Sequence, residues 1–245
     1  MKYLVLAVFM MLFAFPARAE TYVEPSWANL MHTMARLNAF DVDDDVLIDD
    51  YAIITECQLY QNFYTDDFKW NQVRAALREN IQKHGNEFPL SYAYRGEVQL
   101  DRYDFKEKLF RFTDGSVIRN INAVPMLQAD AVDCGKAHIK NMPKSFRAML
   151  ATPFTILGLS IDADAAQKLL NDMKAAGNNS RNMFVRFNIT VTFAEQLRRN
   201  FMQNPPAYSQ DNRPASDPFK MDAHLDSADF YSDEDMTHKV WTYKP

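Results

Sequence analysis

Glycine is scarce in this chain, and its six glycines lie far apart from one another. Loops that cradle phosphate groups need clustered glycines, because only then can several backbone amides approach the same ligand. Neither a G-x-G-x-x-G sequence nor a Walker-type loop can be written from these six positions. The scarcity of glycine therefore argues against the common dinucleotide-binding and nucleoside triphosphate-binding sites, and we expect no cofactor.

The chain also lacks an excess of positive charge, because 27 Lys and Arg residues against 32 Asp and Glu residues give a formal net charge of −5. A surface of this sign repels nucleic acid phosphates, so we expect no nucleic acid partner. Beyond the N-terminus there is no uncharged apolar run of the roughly 20 residues that a membrane-spanning helix requires. We therefore expect no membrane span in the mature chain.

The most specific pattern in the sequence lies at its N-terminus. Lys2 precedes an apolar run over residues 3–15, and the small-residue sequence Ala17-Arg18-Ala19 follows. This is the layout of a secretory signal peptide with its cleavage site. We predict that residues 1–19 are removed after Ala19, and that the mature chain is a soluble exported protein, periplasmic or secreted.

The chain has only two cysteines, Cys57 and Cys134. In an oxidising compartment an even number of cysteines usually forms disulfides. We predict that these two are joined, closing a long loop that stabilises the fold by roughly 4 kcal/mol in the chain-entropy treatment. The alternative is a pair of independent buried thiols, which two cysteines by themselves do not exclude.

Apolar residues at helical spacing mark the first part of the chain. The spacing predicts a helix within residues 25–40 with Ser26 as its cap, a second helix over residues 47–60, and a third over residues 68–84. Gly85 is predicted to take the left-handed position that ends the third helix. These elements form a helical part at about residues 25–84.

Alternating apolar and polar residues mark a sheet from Ser91 onward. The first strand begins at Ser91, a second run covers residues 109–112, and the Asp114-Gly115 pair leads to a third run over residues 117–121. Asp-Gly is typical of a type I′ hairpin turn, because both central positions of that turn need positive φ. We predict an antiparallel meander of three strands.

The later part of the chain continues this pattern. The sequence predicts a strand over residues 154–161, a helix over residues 165–176, and a clearly alternating strand over residues 183–193. A proline-rich crossover at about residues 203–218 precedes two late strands joined by an acidic turn.

Together the elements predict an α+β fold in which N-terminal helices pack on a largely antiparallel sheet. The sheet part covers about residues 91–243. Because no long linker separates it from the helical part, we expect one domain over residues 20–245.

A candidate metal site lies in the first of the two late strands. Asp222, His224 and Asp226 alternate with other residues, so they would share one face of the strand. Carboxylates and imidazole are metal ligands. The alternative is a solvated edge strand, because edge strands commonly carry charges that discourage further pairing.

A candidate interaction site lies near the C-terminus, where large aromatic residues occur among many acidic residues. The aromatic residues are Phe230, Tyr231, Trp241 and Tyr243. If they pack on the protein's own sheet, they complete the fold. If they are exposed, they form an apolar patch with an acidic rim that would suit a basic protein partner, such as an envelope protein.

The local catalytic motifs fail. Cys134 and His138 are close in sequence, but a cysteine in a disulfide offers no thiolate. The run that begins at Gly158 starts like a nucleophile elbow, but Asp162 occupies the place of its second glycine. We therefore favour a non-catalytic envelope module that binds a protein or another envelope component. The alternative is a hydrolase whose residues meet only in the fold, in a pocket that gathers two or more of His84, His138, His224 and nearby carboxylates.

Several short sequences accompany the signal peptide: Tyr51-Ala52 before Cys57, Phe68-Lys69-Trp70, and Tyr103-Asp104-Phe105 within the predicted strands. In this layout the chain resembles uncharacterised exported bacterial proteins of the domain-of-unknown-function kind. The resemblance covers most of the mature chain, and it implies no catalytic residue at any position.

Overall fold

The computed structural model describes residues 21–127, 134, 139, 141–143, 145–197 and 218–245. The predicted signal peptide, His138, and all but the last residue of the predicted proline-rich crossover lie outside these ranges.

Within them the chain forms five α-helices and eight strands. The helices are α1 (Trp27–Arg36), α2 (Asp45–Thr55), α3 (Cys57–Phe63), α4 (Asp67–His84) and α5 (Ala163–Ala175), with a short 3-10 helix at Gly85–Glu87. The strands are β1 (Ser91–Asp104), β2 (Leu109–Phe112), β3 (Ile118–Leu127), β4 (Phe146–Ile156), β5 (Gly158–Ser160), β6 (Asn182–Ala194), β7 (Phe219–Tyr231) and β8 (Lys239–Tyr243).

Side-chain caps fix where the N-terminal helices begin. The Ser26 hydroxyl accepts a hydrogen bond from a backbone N–H in the first turn of α1, and Asp44 and Asp66 do the same for α2 and α4. The predicted second helix is interrupted at Glu56, where the backbone leaves helical geometry and separates α2 from α3. The prediction for Gly85 is wrong: its φ of −55° is right-handed, because the chain continues there into the 3-10 helix.

An arginine of α4 joins that helix to α2. Arg74 binds both carboxylate oxygens of Asp49, from Nε at 2.7 Å and from Nη2 at 2.6 Å. The indole N–H of Trp70 donates to the same carboxylate at 2.9 Å. Arg78 reaches Asp45 at 2.7 Å. Planar guanidinium groups bind carboxylates in this two-pronged way, so the acidic start of α2 is tied to α4.

The strands form one mostly antiparallel sheet in the order β3-β4-β7-β6-β1-β2-β5, with β8 also pairing with β7. The β4–β7 pair is parallel, and the other pairs are antiparallel. The strand β5 follows β4 after Leu157, yet it lies at the far end of the order. The sheet therefore curls back on itself, and the predicted α+β fold class is confirmed.

The predicted meander is right for its first two strands and wrong for its third. β1 pairs with β2, but β3 pairs with β4, with Ile118 opposite Ile156. Among the described glycines only Gly177 has positive φ, so Asp114-Gly115 does not form a type I′ turn. After Gly115 the chain leaves β2, because β3 pairs with β4 and not with β2.

A buried tyrosine links the first helix to the sheet. The hydroxyl of Tyr92 donates to the carbonyl oxygen of Asn29 at 2.8 Å and lies 2.5 Å from the Thr33 hydroxyl. Both Tyr92 and Thr33 are fully buried. Because a buried polar group without a partner is costly, these bonds fix α1 at one position on β1.

The predicted disulfide between Cys57 and Cys134 is confirmed. Their Cα atoms are 5.5 Å apart, and 77 positions separate them in the sequence. Nearby, the buried carboxylate of Asp50 accepts hydrogen bonds from the backbone N–H groups of Asn141 and Met142. The segment that joins β3 to β4 is thus held to the helices by a covalent bond and by a buried acceptor.

No helix in the described part of the chain has both the length and the apolar character needed to cross a membrane.

Candidate functional site

An apolar cleft of about 280 Å³ lies between β1 and β3, inside the curl of the sheet. Its lining includes Tyr94 and Val98 of β1, Ile121 of β3, Phe154 of β4, and Val185 and Phe187 of β6. The two-residue period of β1 points Tyr94 and Val98 to the same face, and pairing with β6 places Phe187 beside Tyr94. Four strands therefore supply one apolar cavity.

Aromatic rings and a glycine shape the wall of the cleft. The ring of Phe187 lies 6.4 Å from that of Tyr94 and 5.9 Å from that of Phe154, measured between centroids. Gly96 lies between Tyr94 and Val98 on β1, and a Cβ there would stand 3.3 Å from Val185. A larger residue at position 96 would crowd this wall, so glycine keeps the cleft at its present width.

The cleft opens between two strand edges. The backbone of Val23 bonds to Ser91 and Ala93 on the edge of β1 that faces away from β6. By the alternation of an antiparallel strand, the backbone groups of Arg95 and Glu97 face that same edge. No described backbone group pairs with them there. Since β3 ends the strand order, no described strand pairs with its outer edge.

Glu97 is the one charged residue among the described residues that border the cleft, but its side chain is exposed, because the alternation of β1 points it to the face opposite Tyr94 and Val98. Within the described ranges it forms no ion pair. Arg95, two residues away on the same strand, is already paired with Glu24 at 2.7 Å. The charged side chains of Arg95 and Glu97 therefore lie on the solvent-exposed face of β1.

A second cavity, a groove of about 800 Å³, lies between α5 and the turn that joins β7 to β8. Its charged groups already have partners in the protein, because Lys168 pairs with Asp172 at 2.8 Å and Asp233 accepts bonds from the backbone of Thr237 and His238. Burial raises the pKa of Asp233, but the hydrogen bonds outweigh it and lower the pKa to about 2. Asp233 therefore acts in the turn as a structural acceptor.

A buried carboxylate on β7 joins three strands. Asp229 is 5% exposed and accepts hydrogen bonds from Asn188 at 3.0 Å and from Thr242 at 2.7 Å. Arg186 and Lys239 approach it at 3.3 Å and 3.5 Å. Burial raises the pKa of Asp229, but the hydrogen bonds of Thr242 and Asn188 and the nearby positive charges lower it overall. This cross-strand network holds β6, β7 and β8 together.

Two buried polar atoms of this network have no hydrogen-bond partner among the described residues. Asn188 is 3% exposed, and its carbonyl Oδ1 receives no hydrogen bond, while the buried Nε of Arg186 donates none. One is an acceptor and the other a donor. The sequence pattern identified this polar face of β6 but did not reveal that Asp229 would be buried against it.

The candidate metal residues occupy the predicted face of β7. His224 Nε2 lies 2.8 Å from Asp226 Oδ1, and the hydroxyl of Thr190 donates to the other Asp226 oxygen at 2.7 Å. Asp222 is exposed on the same strand. Across the part of the chain that the structure describes, no three His, Cys, Asp or Glu side chains are arranged to hold a metal ion. Metal binding by Asp222, His224 and Asp226 stays a prediction.

The four candidate interaction residues pack into the protein's own sheet. Phe230 is fully buried and Tyr231 is 4% exposed. The half-buried ring of Trp241 lies 5.4 Å from that of Phe230, and the ring of Tyr243 lies 6.3 Å from that of Phe154. These aromatic residues therefore contribute to the fold, and a role for them in binding a partner stays a prediction.

The two described histidines that the hydrolase alternative needs lie apart from both cavities. His84 is about half exposed and lies 3.5 Å from Glu87, and His224 pairs with Asp226 on β7. Neither lines the cleft or the groove. The hydrolase alternative gains no support from these positions and stays a prediction.

Comparison with known protein families gives a match. The family model described as a domain of unknown function, DUF4852, matches residues 41–172. These residues include α2 to α4, most of α5, and β1 to β5. No curated protein and no solved structure matches the chain. The strands β6, β7 and β8 lie beyond the matched residues.

Proposed function

The chain belongs to the DUF4852 family, whose description names no function, and we propose from the chain itself that it is an exported, non-catalytic binding module of the cell envelope. In this proposal it holds an apolar ligand in the cleft between β1 and β3. The observation that carries the proposal is the cleft, a preformed apolar cavity built from four strands. It opens between the edge of β1 at Arg95 and Glu97 and the outer edge of β3, where no described backbone group pairs with either strand.

Export is supported by two features that do not depend on each other. The signal-peptide layout at residues 1–19 is read from the sequence. The disulfide between Cys57 and Cys134 is a feature of the fold, and such bonds persist in oxidising compartments outside the cytosol.

Ligand binding is supported by the chemistry of the lining. Small-molecule sites are typically concave, mostly apolar and rich in aromatic rings, with a small number of polar groups that fix orientation. The lining of the cleft is mostly apolar, with Tyr94, Phe154 and Phe187 as its rings. Ser116 is the one serine among the described residues of the lining. Its hydroxyl already accepts a hydrogen bond from the backbone N–H of Gln99. This favours binding over a reaction that needs an activated nucleophile.

Export is tested by intact-mass measurement of the protein recovered from outside the cytosol of an expression host. We expect a chain that begins at Glu20 and contains no free thiol under denaturing, non-reducing conditions. A chain that still begins at Met1 would contradict the proposed export.

Ligand binding is tested by titrating the full mature protein with the neutral apolar fluorophore N-phenylnaphthylamine. We expect saturable fluorescence enhancement from the wild type. Ile121→Phe fills the cleft and should weaken binding by at least about tenfold, equal to about 1.4 kcal/mol. Leu157→Phe adds the same bulk at a half-exposed position outside the lining and should bind like the wild type.

Urea unfolding of both variants is the control, because the comparison requires that each keeps a cooperative transition. Absence of saturable binding by the wild type, or equal binding by the two folded variants, would contradict the proposal.

A further inference from the structure

We infer that the cleft takes one apolar side chain of an extended peptide segment of a partner protein, and that the backbone of this segment pairs with the open edge of β1. The inference rests on the proposed function, because it specifies the ligand of the same cleft. In peptide binding by strand addition, backbone hydrogen bonds supply affinity, and pockets for alternate side chains supply specificity.

The open part of the β1 edge begins where the N-terminal segment leaves it. The N–H of Val23 donates to the carbonyl of Ser91, and the carbonyl of Val23 accepts from the N–H of Ala93. In this parallel ladder the next N–H to reach β1 would come from residue 25. That residue is Pro25, which has no N–H, so the ladder ends there and leaves the following part of β1 unpaired.

The open part ends at Gln99, whose carbonyl accepts from the N–H of Thr113 and whose N–H donates to the Ser116 hydroxyl. Between these ends the backbone groups of Arg95 and Glu97 face the edge, and no described backbone group pairs with them there. An antiparallel segment of about three residues bonds to both, because each of its outer residues exchanges two hydrogen bonds with one residue of β1. A parallel segment would need about five residues, so the short opening favours antiparallel pairing.

The middle residue of such a segment faces the cleft. Residues opposite each other in an antiparallel pair project to the same face, so the residue opposite Gly96 points the same way as Tyr94 and Val98. Gly96 has no side chain to occupy the space beside it, and a strand glycine often marks a place where another backbone approaches closely. The cavity of about 280 Å³ is small for a ligand pocket and suits one large apolar side chain, such as that of phenylalanine.

The exposed face of β1 determines the charge of the neighbouring peptide residue. Within the described ranges Glu97 forms no ion pair, whereas Arg95 is already paired with Glu24 at 2.7 Å. Opposite charges directly across an antiparallel pair stabilise it, so the residue opposite Glu97 is Lys or Arg, and the residue opposite Arg95 needs no charge. Since the segment runs antiparallel to β1, its sequence is a basic residue, a large apolar residue and a small polar residue.

The experiment uses the capped peptide acetyl-Lys-Phe-Thr-amide and the full mature protein. We expect the peptide to displace N-phenylnaphthylamine from the cleft. At saturation it should also slow hydrogen exchange at the backbone N–H groups of Arg95 and Glu97 by at least about tenfold, as measured by NMR. The fluorophore has no backbone to pair with β1, so it should fill the cleft without slowing exchange at these two groups.

Changes to the peptide test the side chain and the backbone separately. Replacing its phenylalanine by alanine empties the cleft and should weaken binding by at least about tenfold. Methylating the nitrogen of its threonine removes the donor to the Arg95 carbonyl and should also weaken binding by at least about tenfold. Methylating the nitrogen of its phenylalanine, which points away from β1, is the matched control and should change the affinity by less than about threefold.

A charge reversal tests the predicted cross-strand pair. The wild type should bind acetyl-Lys-Phe-Thr-amide at least about threefold more tightly than acetyl-Glu-Phe-Thr-amide, and Glu97→Lys should reverse this preference. Glu107→Lys is the matched control and should keep it, because Glu107 is an exposed glutamate in the turn after β1 and does not border the cleft.

The outcomes separate the two proposals. If neither the fluorophore nor the peptide binds, the proposed function fails and this inference fails with it. If the fluorophore binds but the peptide does not displace it, or leaves exchange at Arg95 and Glu97 unchanged, this inference alone is overturned. Equal binding of the two methylated peptides, or an unchanged preference in Glu97→Lys, would also overturn this inference alone.

Discussion

Asn188 of β6 and Asp229 of β7 lie diagonally across neighbouring strands, and the side-chain amide of Asn188 donates to the Asp229 carboxylate at 3.0 Å. Both residues are at least 95% buried. A buried charge is stable only when hydrogen bonds and opposite charges compensate for the loss of water. The stability of the middle of the sheet therefore depends on the charge of the Asp229 carboxylate and on its hydrogen bonds.

The first prediction concerns Asp229→Asn. The variant keeps the shape of the side chain but removes the charge that Arg186 and Lys239 face, so donors from Asn188 and Thr242 meet a weaker acceptor. We expect the free energy of unfolding to fall by about 2 to 4 kcal/mol at neutral pH, as measured by urea titration. Asp235→Asn, at an exposed position in the following turn, is the control and should change it by less than about 0.5 kcal/mol.

The pH dependence of this effect has a definite sign. The pKa of Asp229 is lowered in the folded protein, so its contribution to stability is complete above the ordinary aspartate pKa of about 4. The contribution is lost as the pH falls through the folded pKa. The stability difference between wild type and Asp229→Asn should therefore shrink between about pH 5 and pH 2. A constant difference over this range would contradict the assigned role.

The second prediction concerns the disulfide. Replacing both Cys57 and Cys134 by serine releases a loop closed over 77 positions and should lower the free energy of unfolding by about 4 kcal/mol. Denaturant unfolding of the reduced wild type gives the matched comparison, because it removes the bond without changing the sequence. If neither the variant nor the reduced protein loses stability, the bond does not constrain the unfolded chain as expected.

The third prediction compares two glycines. A Cβ at Gly158 would lie 2.0 Å from the backbone oxygen of Phe110, so Gly158→Ala forces β5 away from β2. We expect a loss of at least about 3 kcal/mol of unfolding free energy, or failure to fold. Gly115 has open space around its Cβ position and no positive φ. Gly115→Ala should therefore leave the free energy of unfolding unchanged or raise it by up to about 1 kcal/mol. Thermal unfolding of the Gly158→Ala and Gly115→Ala variants measures the difference between them.

The fourth prediction concerns the C-terminus. A chain that ends at Ser232 lacks β8 and uncovers Phe230, so we expect a cooperative but lower unfolding temperature. A chain that ends at Pro218 also lacks β7, which lies between β4 and β6, and should show no cooperative transition. Circular dichroism during heating measures the unfolding transition of each truncated chain. Cooperative unfolding of the shorter chain would show that β7 is dispensable for the sheet.

The local elements of this fold could be predicted from the sequence because their signals are local. Ser26 caps α1, and the alternation around residues 183–193 marks β6, both as expected. The break at Glu56 was missed because the apolar stripe runs through it without interruption, and only the backbone angles reveal the change of direction.

The tertiary arrangement could not be predicted in the same way. Ile118 faces Ile156 across a long separation in sequence, and no property of either residue identifies the other as its partner. The cleft has the same origin, since Tyr94, Ile121, Phe154 and Phe187 come from four strands that topology alone brings together. Each of these residues appeared in the sequence as an ordinary apolar position in a strand.

The position of β7 also sets the order in which this protein can be made. The strand is the second last in the sequence but lies in the middle of the sheet, between β4 and β6. A nascent chain that emerges from the ribosome from its N-terminus cannot close its sheet until nearly all of it has been synthesised, because contacts between distant segments must wait for the later segment. Under the export that we propose, this late closure would favour an unfolded polypeptide during passage through a translocation channel, with the sheet completed only afterwards.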